Sequence, residues 1–154
     1  MLELAISSRA FSSGFDIKTP LGLFSAKRVP LSPTGEIQIL TPSDSQIARL
    51  ERESFFSGVY NVILSGGGFY QFARDKTSSR TWTCRGEGKL FLISETSSCK
   101  FLFSENARDV AECTKSRFLN DYEIRVFNDA DLNLVICVFI ALSVLEHEST
   151  GVPD

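Results

Sequence analysis

Leu132-Asn133-Leu134-Val135-Ile136-Cys137-Val138-Phe139-Ile140-Ala141-Leu142-Ser143-Val144-Leu145 is the stretch that decides the fold. Twelve of its fourteen residues are apolar, and wound as a helix they surround the axis instead of marking one side of it. Such a helix needs apolar surroundings on every side, from protein or from lipid. Fourteen residues rise about 21 Å, short of the roughly 30 Å hydrocarbon core of a bilayer. Glu146, His147 and Glu148 follow, with no Lys or Arg among them to anchor a membrane span. The stretch predicts a helix enclosed by the protein's own core. It covers about 129–146 once Asn128-Asp129-Ala130-Asp131 is taken as its cap and first turn. A membrane-associated tail stays open on sequence alone. So does a strand, because Val135, Ile136, Val138, Ile140 and Val144 are β-branched.

What could enclose it lies upstream. From residue 2 to about 127 the chain reads as short extended runs cut by turns: Leu2–Ile6, Phe15–Lys18, Leu23–Lys27, Glu36–Leu40, Ile47–Glu51 and Val59–Leu64. The second half continues with Phe69–Arg74, Arg80–Cys84, Lys89–Ile93, Lys100–Phe103, Val110–Lys115 and Tyr122–Phe127. Turn residues punctuate them, as in Ser12-Ser13-Gly14, Pro20-Leu21-Gly22, Val29-Pro30-Leu31-Ser32-Pro33-Thr34-Gly35 and Ser65-Gly66-Gly67-Gly68. Roughly twelve short strands at this spacing predict a barrel or sandwich. There is also an internal echo. Gln46-Ile47-Ala48-Arg49 leads to Tyr60-Asn61-Val62, and Asp109-Val110-Ala111-Glu112 leads to Tyr122-Glu123-Ile124, with Phe55, Phe56 and Phe118 in the intervening turns. Ordinary hairpin likeness accounts for this, and so do two similar sub-sheets around a shared core.

The bulk numbers agree with one domain, taken as residues 1–148 with a tail at 149–154. A net charge of −3, 43% apolar and 23% charged residues exclude a disordered chain and a nucleic-acid binder held by bulk positive charge. Thirteen phenylalanines are the oddity, and one histidine removes most His-dependent chemistry. Cys84, Cys99, Cys113 and Cys137 include no C-x-x-C pair, so the sequence offers no close zinc-ligand pair. The N-terminus has no basic region ahead of its apolar residues and does not read as a signal peptide. Reduced, mostly buried thiols and a cytoplasmic location are the expectation. Enzyme motifs fail in turn. His147 stands beyond the apolar stretch, Ser97-Ser98-Cys99-Lys100 precedes a strand instead of opening a helix, and Gly86-Glu87-Gly88-Lys89 does not lead from a strand into a helix. No cofactor is expected. Asp129 and Asp131 could hold a hard cation such as calcium, though helix capping explains them more simply.

An all-β chain closed by one fully apolar helix resembles the tubby C-terminal-like fold, in its LURP-one-related and phospholipid-scramblase branch. The residues that carry the resemblance are Phe15-Asp16-Ile17-Lys18-Thr19-Pro20-Leu21-Gly22, then Ile47-Ala48-Arg49-Leu50-Glu51-Arg52 ahead of Tyr60-Asn61-Val62. Later come Val110-Ala111-Glu112, Tyr122-Glu123-Ile124-Arg125-Val126 and Asp129-Ala130-Asp131-Leu132. It spans about Leu2 to Glu148 and implies a twelve-stranded closed barrel around a central hydrophobic helix. Phe69, Phe72, Phe91, Phe101, Phe103 and Phe127 would then layer between sheet and helix, facing Phe139. A lipocalin-like carrier of a small hydrophobic ligand is the competing reading, but its helix lies outside the barrel and should be amphipathic.

The resemblance implies a non-enzymatic binding domain for an anionic lipid (phosphoinositide) headgroup or a protein partner, peripheral at a membrane and not integral to it. Lys27 with Arg28, Arg49 with Arg52, and Arg74 and Lys76 with Arg80 are the basic clusters, and Lys27, Arg28, Arg74, Lys76 and Arg80 are the expected contacts. Against that, the tubby phosphate-binding motif is not recognisable here, and Arg49-Leu50-Glu51-Arg52-Glu53 is charge-balanced. Scramblases carry an acidic, proposed calcium-binding segment beside the closing helix, where this chain has Asp129-Ala130-Asp131. The chain has neither their palmitoylated cysteine cluster nor their long proline-rich N-terminal region, and two carboxylates fall short of the six to eight oxygens calcium takes.

Overall fold

Strand-like alternation prevails through the first five-sixths of the chain, and the chain folds accordingly. The structure is a computed structural model that describes residues 1–8, 14–54, 58–78, 80–116 and 121–149, with side chains as far as 146. The first six strands are β1 (Leu2–Ser8), β2 (Gly14–Thr19), β3 (Gly22–Arg28), β4 (Ile37–Leu40), β5 (Gln46–Arg52) and β6 (Tyr60–Leu64). The next six are β7 (Phe69–Arg74), β8 (Thr81–Gly86), β9 (Lys89–Ser97), β10 (Lys100–Glu105), β11 (Arg108–Lys115) and β12 (Tyr122–Val126). Each pairs antiparallel with its sequence neighbours, and β1 pairs with β12, so the sheet closes into a barrel. Leu2 opposes Val126 and Ile6 opposes Tyr122 across that closure. Closure leaves no unpaired sheet edge.

A 3-10 turn, Asp129–Asp131, then leads into α1 (Leu132–Ser149). The helix therefore begins slightly later than the sequence predicts, and it runs three residues further. Asn128 caps the turn, its Oδ1 accepting from the Ala130 N–H at 3.0 Å. Residues 150–154 lie outside the described residues.

The helix occupies the barrel. Val135, Ile136, Cys137, Val138, Phe139, Ile140, Ala141 and Leu142 are all 0% exposed, which an outer helix could not achieve. α1 lies closest to β5 and β6, where the inward side chains are Ala48, Leu50 and Val62. The wider gap on the other side is filled by rings. Tyr70 meets Phe91 edge-on at 6.1 Å, Phe91 stacks on Phe103 at 5.2 Å, and Phe103 reaches Phe139 at 6.4 Å. Phe139 also touches Tyr122 at 6.2 Å, while Trp82 meets Phe101 at 6.0 Å. Small residues admit the helix and large ones fill what it leaves.

Two of the expected ring positions are corrected. Phe69 is 45% exposed and Phe127 37% exposed. Tyr70 and Phe72 point inward on β7, so the pleat turns Phe69 outward; Val126 does the same to Phe127. Phe72, Phe91, Phe101 and Phe103 are buried as expected, and Phe15, Phe24, Tyr60, Tyr70, Trp82 and Tyr122 join them.

The internal echo is a feature of the barrel. Hairpins β5–β6 and β11–β12 lie six places apart in the strand order, on opposite sides of the helix. Ala48 and Ala111 are both fully buried, and Tyr60 and Tyr122 both point inward. Arg52 opposes Tyr60 in one hairpin, as Lys115 opposes Tyr122 in the other. Phe55, Phe56 and Phe118 lie outside the described residues.

Glycine is required where strands pass closest. A Cβ at Gly86 would overlap the Phe69 carbonyl oxygen, and one at Gly14, whose φ is 141°, would overlap that of Ala26. The cysteines are all free. Burial pushes the Cys84 thiol up to about 12 and raises those of Cys113 and Cys137 as well. Cys99 is half-buried in the β9–β10 turn.

Two outcomes follow from this packing. Phe139→Ala removes the ring shared by Phe103 and Tyr122 and should cost about 3–5 kcal/mol in urea unfolding. A near-neutral value would mean that the helix is not enclosed. In the folded protein a thiol reagent should label Cys99 quickly and the other three only at the rate of unfolding.

Candidate functional site

Strict alternation of strand direction gives the barrel two distinct rims. Odd-numbered strands end, and even-numbered strands begin, at the upper rim; the lower rim is the reverse. Because α1 follows β12, it enters at the lower rim and its C-terminus emerges at the upper one. Side-chain contacts agree. Arg108, opening β11, binds Asp131 at 3.2 Å and Glu105 at 2.9 Å, while Lys115, closing β11, binds Glu146 at 2.8 Å.

This rule places every expected basic contact at one end. Lys27 and Arg28 close β3, Arg74 closes β7, Lys76 lies in the β7–β8 turn and Arg80 precedes β8. All five are exposed at the upper rim. They form two groups rather than one pocket, because β4, β5 and β6 stand between β3 and β7. Arg52 closes β5 between them, its guanidinium 5.5 Å from the Tyr60 ring centre and its Nε donating to Tyr60 Oη at 3.1 Å. Arg49 faces outward beside Gln38, which separates it from Lys27 across β4, and pairs with Glu51 at 3.7 Å.

The groups differ in how they are held. Arg74 lies over the Trp82 ring at 5.4 Å, a cation–π contact that fixes its position without neutralising it. Arg80 pairs loosely with Glu95 at 3.8 Å. Asp75 is occupied in its own turn, accepting from Thr77 N–H at 2.9 Å and from Thr77 Oγ1 at 2.8 Å. Those two bonds hold its carboxyl below the usual carboxylate range. Lys27, Arg28 and Lys76 make no ion pair among the described residues.

Asp129 and Asp131 lie at the lower rim, away from this array. Asp131 is engaged by Arg108, and Asp129 lies 4.0 Å from the amino group of Met1. Among the described residues, no group of three or more His, Cys, Asp or Glu is arranged to hold a metal. Asp44, Glu87, Glu105 and Asp109 share this end, alongside Arg85, Lys89 and Arg108. At the helix's other end, Glu146 also accepts from Tyr122 Oη at 3.0 Å, and burial raises that phenol well above its usual range. His147 falls in the last part of α1, and its side chain lies outside the described residues. Ser97 and Lys100 oppose each other across a tight hairpin, so the Ser-x-x-Lys spacing is a turn between strands.

A second surface feature was not anticipated from the sequence. The outer wall over β11, β12, β1 and β2 is concave, a groove of about 490 Å³ lined by Glu3, Lys18, Glu112, Glu123 and Arg125 around Ala5. Arg125 binds Glu112 at 2.7 Å. Pairing of the first strand with the last creates this groove, so residues 3 and 125 meet only through closure. No local spacing signals it.

No family model and no curated protein matches the chain. Among solved structures, the chain is similar to an X-ray structure of a protein from Arabidopsis thaliana at 14% sequence identity. The match covers 96% of this chain and 91% of that one, with a TM-score of 0.68. At that identity the two share a fold: a closed twelve-stranded barrel with a C-terminal helix.

Proposed function

We propose that the protein is a non-enzymatic binding domain whose upper rim docks on an anionic membrane, with a phosphoinositide headgroup as the preferred ligand. One observation carries the reading. Cations from strands that are not neighbours reach the same rim, and Lys27, Arg28 and Lys76 make no ion pair among the described residues. A basic side chain near an anionic leaflet contributes about 1 kcal/mol. Several on one rim suit a flat charged surface better than a closed pocket, because they spread over β3 to β8, six of the twelve strands.

The alternatives ask for other features. A lipocalin-like carrier needs interior space, and the helix lies there. A scramblase-like protein with a calcium site would use Asp129 and Asp131, of which Asp131 is engaged by Arg108. Among the described residues no helix is long and apolar enough to cross a membrane. Peripheral attachment from the cytoplasmic side, where anionic lipids concentrate, fits the reading. An acidic protein partner is the second occupant such a rim suits, and the same test separates it.

Vesicle co-sedimentation should recover the protein on phosphoinositide-containing vesicles and not on neutral phosphatidylcholine, with recovery falling as salt rises. Lys27→Ala with Arg28→Ala, and separately Lys76→Ala with Arg80→Ala, should each weaken binding by about tenfold or more. Equal recovery on neutral and anionic vesicles at low salt would refute the lipid reading and leave the rim to a protein partner.

A further inference from the structure

We infer that the loop joining β3 to β4 is an apolar anchor, inserting Leu31 into the bilayer beside Lys27 and Arg28. The inference rests on the membrane reading above and adds to it a depth and an orientation. Leu31 is 102% exposed, more than any other large apolar side chain among the described residues. Its φ is 60°, in the left-handed region that a leucine rarely adopts. Glycine or asparagine would occupy that position with less strain, and burial gives nothing back to an exposed leucine. A backbone in that region persists only where its surroundings hold it, here as the second central residue of a turn that follows Pro30.

The surroundings do hold it. Val29 N–H donates to the Glu36 carbonyl at 2.9 Å, and Glu36 N–H donates to Ser32 Oγ at 3.1 Å. Ser32 N–H donates to the Val29 carbonyl at 3.4 Å, closing the tip around Pro30 and Leu31. Arg52 N–H donates to the Thr34 carbonyl at 2.9 Å, which fastens the loop to β5. The loop is thus clamped at its neck and presents one aliphatic side chain at its tip. Two exposed cations stand at its base.

A single exposed leucine is ordinary on a protein surface. The combination is what selects a bilayer. One modest apolar group binds membranes marginally, and a few basic groups alone bind weakly, but the two together anchor a protein. The rim containing Leu31 is also the one containing Arg74, Lys76 and Arg80. The other exposed apolar side chains among the described residues lie at the lower rim or near it, and none is as exposed as Leu31. With Leu31 inserted, the upper rim faces the membrane and the barrel stands on it. A soluble inositol phosphate would meet the same cations but would gain nothing from Leu31.

The test uses Leu31→Ala and Leu31→Trp in the full chain, with vesicles of phosphatidylcholine and phosphatidylserine as the probe. Leu31→Ala should weaken partitioning about fivefold while leaving the melting temperature and the affinity for soluble inositol hexakisphosphate unchanged. In the Leu31→Trp variant, tryptophan emission should shift to the blue on anionic vesicles. The background is constant because the chain's one tryptophan, Trp82, is already buried. If Leu31→Ala binds as the unaltered protein does while Lys27→Ala with Arg28→Ala fails, the basic rim stands and the anchor is overturned. If the unaltered protein does not distinguish anionic from neutral vesicles, both fall together.

Discussion

An α-helix that is apolar on every side has to be enclosed, and the rest of this structure follows from that requirement. Eight consecutive residues without exposed surface leave no direction in which the helix could face water. A flat sheet covers one side of a helix, and a two-layer packing covers two. A sheet closed on itself covers all of them, and it also removes its own edges. Twelve strands close around a helix with side chains about 10–12 Å across, and the space is filled unequally. Ala48 and Val62 let α1 approach β5 and β6, so the opposite wall needs rings. Seven of the thirteen phenylalanines are buried in that eccentric packing.

The sequence made the elements legible because each has its own period. Alternation marks a half-buried strand, and the absence of any polar face marks the enclosed helix. All twelve strands lie where the alternation predicts them, with ends displaced by a few residues. What failed was parity at strand ends. Phe69 and Phe127 read as core by their chemistry, yet one step along the pleat turns them outward. Relations across the closure were hidden for a different reason. Glu3 and Arg125 share a groove only because β1 pairs with β12, and pairing between the chain's extremes leaves no local pattern. The Tyr60 and Tyr122 echo was visible as spacing, but its meaning needed the barrel, which sets the two hairpins six strands apart. The five basic residues were named individually, whereas their common rim depends on strand direction.

Filling the barrel also decides where binding can happen. With α1 inside, ligands have the two rims and the outer wall. The groove across β11, β12, β1 and β2 offers alternating signs, with Arg125 already committed to Glu112. The upper rim offers cations that the fold itself does not use.

That last distinction separates the two ends. A helix carries partial positive charge at its N-terminus and partial negative charge at its C-terminus. Asp129 and Asp131 answer the first at the lower rim, and Arg108 in turn holds Asp131. Lys115 answers the second at the upper rim through Glu146. These charges are tied to the ends of the enclosed helix. Lys27, Arg28 and Lys76 stand outside that scheme. They belong to β3 and to the turn after β7, they form no ion pair among the described residues, and the packing of α1 does not require them. Charge that neither the helix nor a neighbouring carboxylate explains is what an external anion would recognise, and Lys27, Arg28 and Lys76 place such charge at the upper rim.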